Sequence, residues 1–486
     1  MKIKIVSLIM LLVLSLTLVF VSCGDDDETS KPPEKPETAE ELWERAKDEM
    51  DTLDSFKSVA IADIKMYVSE KLVTGKIDGT IIVSNHDSSP YYYEEIVNEL
   101  KCDELDINTK TTAIEAYRNG IRFLKYDDGK TQNKICAEFD FEKFKEYIDK
   151  KSGESNLDPT ECVDLDFKEN EDGTWTLTAS GFPKRAIDGF VSDKFDFLDT
   201  EIDDIELTLT MNKDFLVTKE EFSFVFENKG ELTPSISYVC DYSEFNSAKR
   251  VTETIDPDNY IKLDSESFAL IDSLEAQIEE HQESENGALK LTAIQEVGIV
   301  GGAKNTSTEV DQVTYGVENG GYFYKILADV NGTDLEMVYK NGVVTTTPSG
   351  FIPSQAITDK EAKQNIADLI NSAQFLKPFV TAVTKNNNGT YTITQKAVDG
   401  EKYETMIESI AQGRTHRYDG ATQEITLTLD GDKITQIKSV ISIKGSVMVS
   451  SSDIRYIRIT IGSTVEFLDP NADGANGTTS GDTATA

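Results

Sequence analysis

The chain alternates between two hydrophobic periods. Leu42, Ala46, Met50 and Leu53 recur at i, i+4, i+8 and i+11, one face of an amphipathic helix, and Leu270, Leu274 and Ile278 repeat the pattern. Behind each predicted helix the period drops to two. Ile205, Leu207 and Leu209 alternate with polar residues, as do Ile425, Leu427 and Leu429. Phe222, Phe224 and Phe226 correspond to Ser439, Ile441 and Ile443 at an offset of 217. Such alternation predicts antiparallel strands with one buried face. A second helix is predicted midway through each half. The first half has Phe141, Phe144, Tyr147 and Ile148; the second has Thr358 and Glu361 in capping-box spacing ahead of Ile366, Leu369 and Ile370. A further short helix is predicted over 403–410.

The two halves repeat. Tyr117-Arg118-Asn119-Gly120 returns as Tyr339-Lys340-Asn341-Gly342, and Gly173-Thr174-Trp175 as Gly389-Thr390-Tyr391. The Ile205 and Ile425 strands, Lys229-Gly230 and Lys444-Gly445, and Asp256-Pro257 and Asp469-Pro470 follow in order. The offsets are 222, 216, 220, 215 and 213, and collinear anchors of this kind read as a tandem duplication. The predicted class is α+β: two tandem copies of a broad, curved antiparallel sheet, an incomplete barrel, packed on helices. The copies span 39–262 and 263–470, and 471–486 is expected to be a disordered tail.

The N-terminus carries an address. Met1 to Lys4 is basic, and Ile5 to Val21 is apolar apart from Ser7, Ser15 and Thr17, as in a secretory signal. Val21-Ser22-Cys23 then leads into Gly24 and the acidic run Asp25 to Glu28. This segment resembles the lipobox of bacterial lipoproteins. The resemblance implies a signal peptide over 1–22 and diacylglyceryl transfer to the Cys23 thiol, which becomes the mature N-terminus. The acidic run is similar to the surface-export signal of Bacteroidetes lipoproteins. Residues 23–38 read as a charged, Pro-rich tether, which at ~3.1 Å per residue reaches roughly 45 Å. The expected location is therefore outside the cytoplasmic membrane, at the cell surface or in the periplasm, held by the N-terminal lipid.

Charge narrows the partners. Acidic residues number 88 against 48 basic ones, a net charge of −40, which argues against nucleic acid and against membrane attachment through a basic patch. A mean hydropathy of −0.36 excludes a polytopic membrane protein.

Catalytic and metal chemistry is thinly represented. His86, His281 and His416 are scattered, and no Ser sits in a Gly-x-Ser-x-Gly elbow. The Gly298 to Asn305 stretch lacks the Gly-Lys-Ser/Thr ending of a phosphate loop. Asp469 to Gly474 opens like an EF-hand but has Ser480 at the twelfth position, where a carboxylate is needed. No metal, cofactor or catalytic residue is expected. Tyr91-Tyr92-Tyr93 is the one aromatic patch that suggests an exposed contact, although alternation buries one or two of the rings. Cys102, Cys136, Cys162 and Cys240 suggest two disulfides in an exported protein, with three possible connectivities, against reduced buried thiols.

The element order behind a lipobox resembles the lipoprotein-carrier fold of LolA/LolB-like and LppX-like proteins, in which an incomplete barrel encloses an apolar cavity. That likeness implies binding of an acyl chain, a lipid or a lipidated protein in a sheet concavity. Phe222, Phe224, Phe226, Ile441 and Ile443 are the candidate lining. The expectation is a non-catalytic envelope lipoprotein. The alternative is an adhesin or assembly component that uses the outer faces of the repeats.

Overall fold

The structure, a computed structural model, describes residues 35–468 except 69–70, 85–89, 106, 130, 154–156, 188–201, 227–233, 252–254, 285, 301–303, 319, 331–332, 349–352, 398–399 and 451–452. The expected signal peptide, Cys23 and the 471–486 tail therefore lie outside the described residues. Two compact units emerge, Met1–Lys262 and Leu263–Ala486.

In the first unit, Thr38 caps helix α1 (Ala39–Asp51) by accepting a hydrogen bond from the Glu41 amide, and the helix buries Leu42, Trp43, Ala46 and Met50. A meander follows: β1 (Ser55–Val68), β2 (Lys71–Ser84), β3 (Tyr91–Cys102), β4 (Ile107–Arg118), β5 (Ile121–Asp127) and β6 (Gln132–Glu138). After helix α2 (Phe141–Gly153) come β7 (Asp164–Glu169), β8 (Trp175–Ser180), β9 (Ile202–Met211), β10 (Val217–Phe226), β11 (Ser235–Ser243) and the short β12 (Ile261–Leu263). The sheet order is β12-β6-β5-β4-β3-β2-β1-β11-β10-β9-β8-β7. The chain thus runs outward from β1, crosses by α2, and returns until β11 lies antiparallel beside β1, with Cys240 opposite Ala60.

The second unit opens with α3 (Ser265–Glu283), whose buried residues include Phe268, Ile271, Leu274 and Ile278. Leu270, predicted on that face, is only half-buried at its edge. Strands β13 (Gly287–Ile299), β14 (Lys304–Glu318), β15 (Gly321–Val330), β16 (Thr333–Lys340), β17 (Val343–Thr347) and β18 (Gln355–Ala356) lead to α4 (Asp359–Ile370). Then come β19 (Val380–Lys385), β20 (Tyr391–Lys396), α5 (Gly400–Ala411), β21 (His416–Asp430), β22 (Lys433–Ser450) and β23 (Asp453–Leu468). The order is β18-β17-β16-β15-β14-β13-β23-β22-β21-β20-β19. The predicted capping box on α4 is present, with Thr358 and Glu361 exchanging hydrogen bonds. The protein is mostly β, and both sheets are open, so the incomplete barrel takes the form of two broad sheets with helices laid against them.

Local chemistry sets the registers. Asn119 and Gly120 turn β4 into β5 at φ 53° and 77°, and Asn341 and Gly342 turn β16 into β17 at the same angles. Only a turn with two positive φ values matches the twist of a two-residue hairpin, and Asn-Gly tolerates both. These turns place Tyr92, Tyr117 and Arg122 on one cross-strand row, and Tyr324, Tyr339 and Val344 on the corresponding row of the second sheet. At the β7–β8 hairpin the Asn170 side-chain amide donates to the Thr174 and Thr176 hydroxyls. Asn386 does the same to Thr390 and Thr392 between β19 and β20. Counted from those hairpins, Leu177, Leu209 and Glu220 share a row, as do Ile393, Ile425 and Ser439. Counted in this way, Phe222 and Ile441 stand one inward step beyond Glu220 and Ser439 on their own strands.

The first sheet is covered on both faces near β3. One face packs on α1 and α2 through Leu42, Met50, Phe144 and Ile148. On the other face Ile82, Tyr91, Tyr93, Phe123 and Cys136 lie beneath Ala248, Val251, Ile255 and Tyr260. All three tyrosines of the 91–93 run are buried, Tyr92 against Phe144 and Tyr91 accepting a hydrogen bond from the Val251 amide at 3.1 Å. The exposed aromatic contact anticipated there is absent, because an irregular segment covers the face that alternation assigns to solvent.

Candidate functional site: a buried acid–arginine cluster

Small residues hollow the middle of the first sheet. Ser58, Ala60 and Ala62 share the helix-side face of β1, and Gly79 lies opposite Ala60 on β2. Beside them is a cavity of about 10 Å³ lined by Ala60, Ala62, Gly79, Ile96, Tyr238 and Glu94, among others. That volume is about what one water molecule needs.

Glu94 leads from the cavity to a charged cluster. It sits directly opposite Glu115 on β4, and both are 3% exposed. Arg122, fully buried on β5, grips Glu115 Oε1 through Nε at 2.7 Å and Nη2 at 2.6 Å. The Tyr147 hydroxyl of α2 donates to Glu115 Oε2 at 3.4 Å, and the Tyr92 hydroxyl donates to Glu94 Oε2 at 3.2 Å. Aromatic rings box the guanidinium, Tyr147 at 4.0 Å with Phe139 and Phe144 beyond. Like charges directly opposite one another on neighbouring strands are destabilising. Burial, followed by the Glu94 and Glu115 charges, pushes the Tyr92 hydroxyl well above its ordinary range.

On the other side of the small-residue strip, the Tyr242 hydroxyl donates to the buried Glu220 at 3.1 Å. Burial, with Glu220 nearby, pushes the Cys240 thiol up to about 12, which keeps it protonated and unreactive.

Among the described residues of the second sheet there is no such acid–arginine cluster. On the rows fixed by the Asn-Gly hairpins, Glu94, Glu115 and Arg122 correspond to Ile326, Met337 and Val344. The same strand order is therefore built with apolar side chains at all three positions. Buried polar groups of the second sheet instead secure a neighbouring turn. Gln395 donates to the Gln374 carbonyl at 2.9 Å, and Gln423 to the Ala373 carbonyl and to Ser439 Oγ.

The residues singled out in the sequence fare differently. Phe222 and Phe226 are buried and Phe224 is half-buried, all within the helix-side core, with Phe222 against Tyr238 at 5.4 Å. Ile441 and Ile443 pack with Tyr403 and Ile407 of α5. Within each unit these side chains belong to the buried core. The expected disulfides are absent: Cys102, Cys136, Cys162 and Cys240 are free thiols. Cys136 faces the opposite side of the sheet from Cys102 and Cys240. Cys102 and Cys240 lie on strands three steps apart, roughly 14 Å at strand spacing, beyond the ~7 Å Cα limit of a disulfide. Among the described residues no group of three or more His, Cys, Asp or Glu is placed to hold a metal ion. His281 stacks on Phe467 at 3.8 Å.

Sequence reasoning missed Glu94, Glu115 and Arg122. The signal was present: Glu115 stands two residues before Tyr117, an inward position of its strand.

No family model matches the chain, and no curated protein matches it. Among solved structures, the outer membrane protein OpdK from Pseudomonas aeruginosa aligns at 8% identity and a TM-score of 0.17, covering 85% of this chain and 99% of that one. CghA with Sch210972 aligns at 6% identity and 0.11, covering 85% and 89%. The translocator domain of the autotransporter NalP from Neisseria meningitidis aligns at 7% and 0.10, covering 88% and 95%. No helix among the described residues is long and apolar enough to cross a membrane.

Proposed function

We propose that the chain is an exported, lipid-anchored, non-catalytic binding protein made of two tandem copies of one domain. The matching strand order, apart from the extra edge strand β12 of the first sheet, and the paired Asn-Gly and Asn-Thr hairpins support the duplication. The lipobox-like segment at Cys23 supports the anchor. The ligand position is the small-residue strip of the first unit, with Glu94 as its polar end. The ligand class is an apolar molecule: an acyl chain, a lipid or a lipidated partner.

One observation carries this reading. A charged cluster buried at Glu94, Glu115 and Arg122 has apolar counterparts in the second sheet. Replacing a buried ion pair by apolar residues is often neutral or stabilising, so the fold does not require the charges and a binding role accounts for them. A cavity of about 10 Å³ holds no chain, so the apolar part of a ligand must displace side chains over Ala60 and Gly79.

Native mass spectrometry of the mature chain, exported and purified without detergent, tests this. Extra mass that disappears on delipidation and is absent from Glu94→Ile supports the site. An apoprotein mass unchanged by lipid extracts removes the ligand reading. A second reading, a surface interaction or assembly protein, is favoured by exposed apolar side chains at one end of the second sheet, including Ile454 and Tyr456.

A further inference from the structure

One row of the first sheet is polar where the second sheet is apolar. Across β4, β3, β2, β1 and β11 it runs Glu115, Glu94, Ile81, Ser58, Tyr242. On the rows fixed by the Asn-Gly hairpins, the second sheet carries Met337, Ile326, Val313, Leu289 and Phe467 at these places. The small-residue strip starts from this row and runs along β1 from Ser58 through Ala60 to Ala62. Its counterpart on β13 begins with Leu289 and Leu291, 1% and 7% exposed. Leucine side chains therefore occupy, in the second unit, the places that small residues leave open in the first.

Packing does not account for two features of the strip. Ser58 is 1% exposed, and among the described residues its hydroxyl has no hydrogen-bond partner. A buried polar group without a partner carries a desolvation cost that an alanine there would avoid. The other feature is Gly79, opposite Ala60 in the interior of β2. Glycine weakens a strand interior, and here nothing demands it: a Cβ would meet Ala60 Cβ at 3.7 Å, an ordinary contact. Gly75 on the same strand differs, since a Cβ there would press on Leu100 at 3.0 Å. A ligand that hydrogen-bonds Ser58 and lies over Gly79 accounts for both.

We propose that the ligand of the first unit has an uncharged, hydrogen-bonding oxygen head, an alcohol or an ester, seated against Ser58, with its chain over Ala60, Gly79 and Ala62. This rests on the binding role proposed above and adds the chemistry of the head. The Ser58 hydroxyl both donates and accepts, so it serves either group. A fatty-acid carboxylate is the wrong head. Glu94 stands on the Ser58 row two strands away, about 10 Å at strand spacing, and Glu220 lies opposite Cys240, the neighbour of Ala60 on β11. The nearby guanidinium, Arg122, is already bound to Glu115. An anion buried among these acids has no partner to balance it, whereas a neutral head needs none. The second unit, with Leu289 in the place of Ser58, takes no such ligand.

The test is thermal melting of the mature chain beginning at Gly24, which has no acyl group, with decan-1-ol or decanoate at pH 8. Trp fluorescence follows the first unit, where Trp43 and Trp175 lie. Decan-1-ol should raise the melt as its concentration exceeds the dissociation constant, and decanoate, with the same chain length, should not. Ser58→Ala should weaken decan-1-ol binding about fivefold, the worth of one neutral hydrogen bond. Gly79→Ala should weaken it at least as much, by placing a methyl where the chain lies. Without ligand both variants should melt at or above the wild-type temperature, which a merely structural role for either residue would not allow. Equal binding of decanoate, wild-type affinity in either variant, or a lower unliganded melt in either overturns the proposal. Failure of decan-1-ol to bind also overturns it. If native mass spectra then still show lipid that is lost on delipidation, the head assignment alone falls; if they show none, the binding role falls with it.

Discussion

Removing the Arg122 guanidinium should unfold the first unit far more readily than removing the whole charged cluster. In Arg122→Ala, Glu115, only 3% exposed in the native chain, loses the Nε hydrogen bond at 2.7 Å and the Nη2 ion-pair contact at 2.6 Å. The Tyr147 hydroxyl at 3.4 Å cannot replace them. Breaking a buried pair by deleting one partner costs about 3–5 kcal/mol. For a unit of this size each kcal/mol moves the melting temperature by about 2–4 °C, so a fall of about 6–20 °C is expected. The triple change Glu94→Ile, Glu115→Met and Arg122→Val installs the residues found on the same rows of the second sheet. It should melt at the wild-type temperature or above it, since apolar replacement of a buried charge set is neutral to stabilising by about 1–4 kcal/mol. Both tryptophans, Trp43 and Trp175, lie in the first unit. Intrinsic Trp fluorescence during heating or urea titration therefore reports this unit alone. A triple variant as unstable as Arg122→Ala would refute the reasoning: the cluster would then be part of what holds the sheet together, and its assignment to binding would fall.

Three further outcomes can be checked directly. In the chain from Gly24, a thiol reagent at pH 8 should label at most the partly exposed Cys162 quickly and all four cysteines after denaturation; fewer than four would reveal a disulfide. Burial, with Glu309 nearby, raises the Asp311 carboxyl to about 6. The folded value lies above the unfolded one, so Asp311 favours the fold at low pH and loses that contribution as pH climbs from about 4 to 6. Asp311→Asn should accordingly raise the melting temperature at pH 7.5 and leave it unchanged at pH 4, and equal shifts at both would contradict the assignment. A Cβ on Gly445 would approach the Arg417 carbonyl oxygen to 2.7 Å and Ile407 to 3.0 Å. Gly445→Ala should therefore destabilise the second unit by about 1–3 kcal/mol, visible in far-UV circular dichroism melts.

Features that depend on neighbours in the sequence were legible there. Leu42, Ala46 and Met50 define the opening helix by spacing alone, Thr358 and Glu361 announce α4, and Asn119-Gly120 and Asn341-Gly342 mark hairpins because few residues accept two positive φ values. Alternation likewise marked the strands and their two faces. It did not say which faces are covered: Ala248, Val251, Ile255 and Tyr260 return to bury Tyr91 and Tyr93, and no local pattern encodes that return. Nor did it reveal that Glu94 and Glu115, 21 residues apart, stand opposite each other above Arg122, because an inward-pointing charge becomes informative only once its cross-strand partner is known. Net charge is equally silent on local patches: the chain totals −40, and Lys304, Arg417, Lys444 and Arg458 still converge through β13, β21, β22 and β23. Composition sums over the chain, whereas an interface responds to charge within about 10 Å, and only strand pairing decides which distant residues share that distance.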